Sequence, residues 1–195
     1  GASERSGRKL TEIQGAIITE PNSGLNILEL AGLISFALSG AYTAAHRRMD
    51  IFGVTVMAFV TACGGGVLRD VVMNRGIPVF FSDYRAIAVV GLSVATVAAA
   101  PQIFREQKIL TLLDAAGLAF FAVDAGVKAI ALQYNFVQFM FAAVITGVGG
   151  GVLRDLLAQR MPMIFRQQDI YAVAVIIGCI FMWFAAPVFG IHAAA

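Results

Sequence analysis

Asp124 and Lys128 stand four residues apart in a run, 110–133, that is otherwise almost wholly apolar. Four residues make about one helical turn, so the carboxylate and the ammonium share a face. An ionisable side chain at membrane depth marks a functional site by default. A charge moved through the membrane field gains about 2.3 kcal/mol per 100 mV, which makes Lys128 a candidate voltage sensor. The same two residues can equally serve packing, as an ion pair that fixes one helix against its neighbours. Two more charged pairs, Arg69-Asp70 and Arg154-Asp155, follow Val-Leu after three glycines, Gly64-Gly65-Gly66 and Gly149-Gly150-Gly151. Adjacent helical residues point about 100° apart. That geometry turns each pair away from itself and predicts cross-bridges, Arg69 to Asp155 and Arg154 to Asp70. In the competing arrangement both arginines reach out to lipid headgroups.

Glycine in a helix interior is less favourable than alanine by about 1 kcal/mol. Three in a row permit unwinding or a sharp kink and let another backbone come close. A helix broken there would end its first half in free carbonyls, suited to cations, and begin its second in free N–H groups, suited to anions. Alternatively the triplets are a tight crossing point of two spans. The two readings are compatible, since a crossing can also line a conduit. Nucleotide loops are excluded, because Val-Leu stands where a P-loop needs Lys-Ser/Thr and 147–152 misses the last glycine of the dinucleotide fingerprint.

No enzyme chemistry is supported. The only histidines are His46 and His192, and no nucleophilic triad or metal-ligand set can be assembled from them. Cys63 and Cys179 lie inside apolar runs and read as small core residues. No cofactor or resident metal is expected.

The two glycine motifs are 85 residues apart (146 − 61), and the offset extends well beyond them. Sliding 29–75 onto 114–160 matches 16 of 47 positions without a gap, including Gly32 on Gly117, Phe36 on Phe121 and Arg75 on Arg160. Pro78 meets Pro162 after a one-residue slip. The period exceeds the 20–50 residues of solenoid repeats and indicates one duplicated half. Glu29 and Asp114 occupy matching places near the starts of their spans and are expected at the membrane interface.

Of the 195 residues 59% are hydrophobic and 13% charged, and the mean hydropathy is +0.81. Soluble domains carry about 25% charged residues, so the chain reads as an integral membrane protein. A net charge of +2, without a basic patch, argues against a nucleic-acid partner. Residues 1–24 form a polar N-terminal extension. Apolar spans follow at 26–45, 51–73 around the first triplet, 84–100, 110–133, 136–158 around the second triplet, and 170–188.

Backbone polar groups in lipid must be satisfied internally, which predicts six helices. The repeats are placed at 25–104 and 105–190, with a tail at 191–195. Three crossings per repeat force the second copy upside down, so the predicted fold is an all-α transmembrane bundle of two inverted three-helix repeats with glycine-kinked second and fifth helices. The first, third and fifth loops carry Arg47, Arg48, Arg105, Lys108, Arg160 and Arg166, against Arg75 and Arg85 opposite. The positive-inside rule then places the N-terminus outside the cell inner membrane.

A three-span inverted repeat carrying GGGVLRD twice resembles the prokaryotic trimeric intracellular cation (TRIC) channels, a family that includes bacterial glycine-transporter-like membrane proteins. The resemblance runs from Asn26 to Val188. It implies a homotrimer with one pore per protomer for potassium and other monovalent cations, lined by spans two and five at Gly64–Gly66 and Gly149–Gly151. It further implies gating through a basic residue on the fourth helix, where Lys128 stands, and lipid near the pores or between protomers. The family usually has a seventh helix, for which no room is found before Ala195. The alternative function is secondary transport of glycine or another small amino acid, for which inverted repeats and broken helices are also suited.

Overall fold

The computed structural model describes residues 23–72, 84–99, 107–163 and 171–186. The elements among them are helices: α1 (Ser23–His46), α2 (Ile51–Val72), α3 (Tyr84–Ala99), α4 (Gln107–Ala131), α5 (Phe136–Leu157) and α6 (Tyr171–Ala185). Each falls on one of the six expected spans. Most of the polar head, the expected turn at 74–78 and the tail lie outside the described residues.

Four helices contain a stretch long and apolar enough to cross a membrane unaided, Ile27–His46, Ile51–Val72, Lys108–Ala131 and Phe136–Leu157. The described parts of α3 and α6 have 16 and 15 residues. At 1.5 Å per residue that is about 22–24 Å, short of a hydrocarbon core of about 30 Å. Length alone therefore supports four full crossings, and the residues flanking α3 and α6 lie outside the described set.

The turn from α1 to α2 is built like the turn from α4 to α5. Arg48 and Gln133 both take φ 55°, in the left-handed region. The Met49 N–H donates to the Ala44 carbonyl at 3.1 Å, and the Tyr134 N–H donates to the Ala129 carbonyl at 3.0 Å. This six-residue closure satisfies carbonyls that a helix end leaves orphaned. The next helix is capped at once, with Asp50 Oδ1 accepting from the Gly53 N–H at 2.8 Å. Its counterpart Asn135 accepts from the Gln138 N–H at 2.9 Å, and Gln138 Oε1 accepts from the Asn135 N–H at 3.0 Å. The caps offset part of the ~1–2 kcal/mol that a non-glycine residue costs in the left-handed region.

Packing repeats the scheme at a larger scale. Helix α1 packs on α2 and α3, α4 packs on α5 and α6, α1 crosses α4, and α2 crosses α5. At the first crossing the Phe36 and Phe121 rings lie 5.4 Å apart. Gly32 makes room for the Phe121 ring, and Gly117 makes room for that of Phe36, where added Cβ atoms would stand 2.8 and 2.6 Å from ring carbons. At the second crossing Gly65 lies against the Thr146 carbonyl and Gly150 against the Thr61 carbonyl. Every partner is displaced by 85 with the roles exchanged, which is the signature of a two-fold relation.

Burial departs from the soluble pattern on both sides of an otherwise apolar core. Ser39, Thr43, Thr61, Asp114, Asp124, Thr146, Arg154 and Asp155 are buried, while Phe52, Val137, Phe181 and Phe184 are largely exposed. Apolar side chains outside and polar ones between helices are what a lipid solvent selects.

A methyl group at Gly65 would collide with backbone, whereas one at Gly66 would meet nothing within 4 Å. Gly65→Ala is expected to destabilise by about 2 kcal/mol or more through overpacking, and Gly66→Ala to be neutral or stabilising by up to about 1 kcal/mol through helix propensity. Thermal unfolding of the detergent-purified variants checks the contrast.

Candidate functional site

Both triplets lie within unbroken helix: α2 is continuous from Ile51 to Val72 and α5 from Phe136 to Leu157. Of the two distortions the glycines permit, unwinding is absent, and with it the free half-helix ends that a broken helix would offer to ions. The reason is the crossing itself. Gly65 and Gly150 each receive a carbonyl oxygen of the other helix, so the small side chain permits close backbone contact while each helix keeps its own hydrogen bonds. The flanking hydroxyls turn inward, Thr61 Oγ1 donating to the Met57 carbonyl and Thr146 Oγ1 to that of Ala142, both at 2.6 Å.

Beyond the second triplet the geometry is closed. Arg154 has no solvent exposure. Its Nε donates to Asp155 Oδ1 at 2.9 Å, its Nη1 donates to both Asp114 Oδ1 and Ser39 Oγ, and its Nη2 lies 3.5 Å from Met163 Sδ. Asp155 also accepts from Arg160 Nε at 2.9 Å and from the Met163 N–H at 2.8 Å. The chain leaving α5 is thus tied back onto the helix. Asp114 lies beside Gly151, its Oδ1 3.2 Å from where a Cβ would be. Guanidinium buried in lipid is tolerable only with its donors partnered; Asp155, Asp114 and Ser39 take those of Nε and Nη1, and Met163 Sδ faces Nη2.

Beyond the first triplet the same positions are filled differently. Arg69 donates from Nε to Asp70 Oδ1 at 2.8 Å, with Nη2 at 2.8 Å from the same oxygen. Lys128 Nζ donates to Asp124 Oδ2 at 2.8 Å and to Glu29 Oε2 at 3.1 Å. Lys128 and Glu29 are partly open, with side chains 28% and 29% exposed, whereas that of Asp124 is 1% exposed.

Sequence reasoning placed Asp124 against Lys128 correctly. It paired the arginines wrongly: each bonds the aspartate that follows it, not one across the crossing. An arginine side chain is long enough to fold back on its successor, and its fork presents Nε as well as Nη. Glu29 and Asp114 are not merely interfacial, since one holds Lys128 and the other Arg154. Their signal was available. Asp114 and Lys128 are 14 residues apart, nearly four turns, and so lie on one stripe of α4. Ser39, Arg160 and Met163 were missed, and nothing in their own spacing advertises contact with Arg154–Asp155.

A bundle with paired glycine crossings and buried ion pairs beside them defines a class, that of polytopic membrane proteins with a polar interior. The comparisons narrow it. A family model described as "Glycine transporter" matches residues 26–101 and 111–187, one stretch per half. The chain is 38% identical over 169 residues to a UPF0126 membrane protein of Deinococcus radiodurans, covering 85% of this chain and 78% of that one. It is 45% identical over 155 residues to the UPF0126 inner membrane protein YadS of Escherichia coli K12, covering 77% and 73%. Among solved structures, the TRIC trimeric intracellular cation channel orthologue from Rhodobacter sphaeroides superposes with a TM-score of 0.79 at 31% identity, covering 89% of this chain and 92% of that one. The chain belongs to the TRIC channel family, which takes in the glycine-transporter-like membrane proteins.

Removing one carboxylate from a buried pair strands its partner. Asp114→Ala is expected to destabilise by about 3 kcal/mol or more, since Arg154 is fully enclosed, and Glu29→Ala by less than about 1 kcal/mol, since that pair is part-exposed and screened. Thermal or denaturant unfolding of the two variants in one detergent checks the ranking.

Proposed function

We propose that this protein is a channel for monovalent cations, potassium foremost, working as a homotrimer with one pore in each protomer. The observation that carries the reading is the fold it shares with the cation channel of Rhodobacter sphaeroides over nine-tenths of the chain. The buried polar residues at the α2–α5 crossing supply what such a fold needs, since ions cross lipid only beside groups that replace water. In this reading the halves are inserted in opposite orientations, consistent with contacts that recur with roles exchanged. The N-terminus lies outside the inner membrane, the triplets are where α2 and α5 bend to open the pore, and Lys128 senses voltage. Arg69, Asp70, Arg154 and Asp155 line or brace the path, and lipid occupies the gaps between protomers.

Secondary transport of glycine is the second reading, favoured by the description attached to the matching family model. The continuity of α2 and α5 weighs against it. A zwitterion bound at half-helix ends requires broken helices.

Purified protein in a planar bilayer discriminates the two. Discrete potassium currents are expected, and Lys128→Ala is expected to flatten their voltage dependence. Saturable glycine uptake without currents would replace the channel reading with the transporter.

A further inference from the structure

The arginines that follow the two triplets are anchored alike and then differ. Arg69 Nε donates to Asp70 Oδ1 at 2.8 Å, and Arg154 Nε donates to Asp155 Oδ1 at 2.9 Å. From that anchor Arg154 reaches on through Nη1 to Ser39 Oγ and Asp114 Oδ1. The 85-residue offset turns this set into Arg69, Asp124 and Glu29. Yet among the described residues Arg69 bonds Asp70 alone. Lys128, whose matching place in α1 holds Thr43, has taken both carboxylates instead.

That arrangement is incomplete. Lys128 holds Asp124 through Oδ2, and Oδ1 is buried with no hydrogen-bond partner among the described residues. A buried carboxylate oxygen without a donor is costly. The two-fold relation supplies one. Exchanged contacts at Gly32 and Gly117, and again at Gly65 and Gly150, show that the helix frame repeats on both sides. Arg69 is therefore set toward Asp124 as Arg154 is set toward Ser39. Among the charges felt at Asp124, after those of Lys128 and Glu29, is that of Arg69. One guanidinium against two carboxylates is also a count that Arg154 already meets, with Asp155 and Asp114. Lys128 for its part has an outward partner, since the Glu29 side chain is 29% exposed and that of Asp124 only 1%.

We infer that Arg69 is the reserve counterion of Asp124, closing on Oδ1 when Lys128 withdraws to Glu29, in the bond that Arg154 already makes to the matching Ser39. The first half then has two ion-pair arrangements, and the second half displays the form of the alternative. Without a second counterion, withdrawal of the lysine would strand a buried charge. Arg69 is thus a positioning residue, which acts on Lys128 through Asp124. The exchange concerns which cation holds a carboxylate and is independent of what crosses the membrane.

The experiment is a double-mutant cycle on denaturant unfolding of the detergent-purified protein. Arg69→Gln is paired with Asp124→Asn, once with Lys128 present and once in Lys128→Met. The cycle cancels the loss of the Arg69–Asp70 bond, which both of its arms share. The coupling between Arg69 and Asp124 is expected to grow at least about tenfold as an equilibrium factor, ~1.4 kcal/mol, once Lys128 is gone. A smaller gain, or none, overturns the inference.

Lys128→Met is itself expected to fold, because Asp124 keeps a counterion, and its failure to give monodisperse protein overturns the inference as well. Should variants carrying Arg69→Gln or Asp124→Asn fail instead, infrared spectra of Lys128→Met at neutral pH decide. With Arg69 on Asp124 the carboxylate stays ionised. A protonated carboxyl band that the native chain lacks overturns the inference, and its absence supports it. Bilayer recordings on the same preparations separate this claim from the channel reading. Potassium currents with an unchanged coupling sink the exchange and leave the channel, and an enlarged coupling without currents does the reverse.

Discussion

Backbone against backbone at Gly65 and Gly150 is the contact on which the other features depend. In lipid no hydrophobic force presses helices together, so association relies on close van der Waals packing and on polar groups that find partners. The carbonyls of Thr61 and Thr146 seated on opposing glycines bring the backbones of α2 and α5 into direct contact. That proximity brings the segments following both triplets into the interior, where Arg69, Asp70, Arg154 and Asp155 become buried. Any bulk at the crossing would separate the axes and leave those charges facing hydrocarbon.

Charge burial is then handled in two ways. Around Arg154 one guanidinium, two carboxylates, a hydroxyl, Arg160 and the Met163 amide are joined in one buried set of bonds. Around Lys128 the set is open, with a part-exposed ammonium bridging two carboxylates from different helices. A flexible lysine with three rotatable donors can exchange partners more readily than a forked, enclosed arginine. The rigid network suits support, and the looser one suits a part that moves.

Much of this was readable in the residues. The 85-residue offset, the six apolar runs and the four-residue spacing of Asp124 and Lys128 each depend on local periodicity, which a helix preserves. The helix starts are equally local, as the Asn135–Gln138 capping box shows. What escaped depended on how helices meet. Helical angles alone set Arg69 and Arg154 apart from the following aspartates, because the rule treats side chains as short spokes. Nothing in the glycine triplets distinguishes a broken helix from an intact one pressed against a neighbour, since both need the missing Cβ. The partnership of Asp114 with Arg154 joins residues 40 positions apart and is fixed only once α4 and α5 pack.

The exchanged-role contacts at Gly32, Phe36, Thr61 and Gly65 mean that each half carries both knob and socket. A three-helix unit of this kind is complementary to itself, so two identical copies lying head to tail in a bilayer could dock through the surfaces now shared by unlike halves. Joining such a pair into one polypeptide frees each copy to drift separately. Lysine could then replace threonine, and aspartate serine, on one side without doubling the same charge on the other.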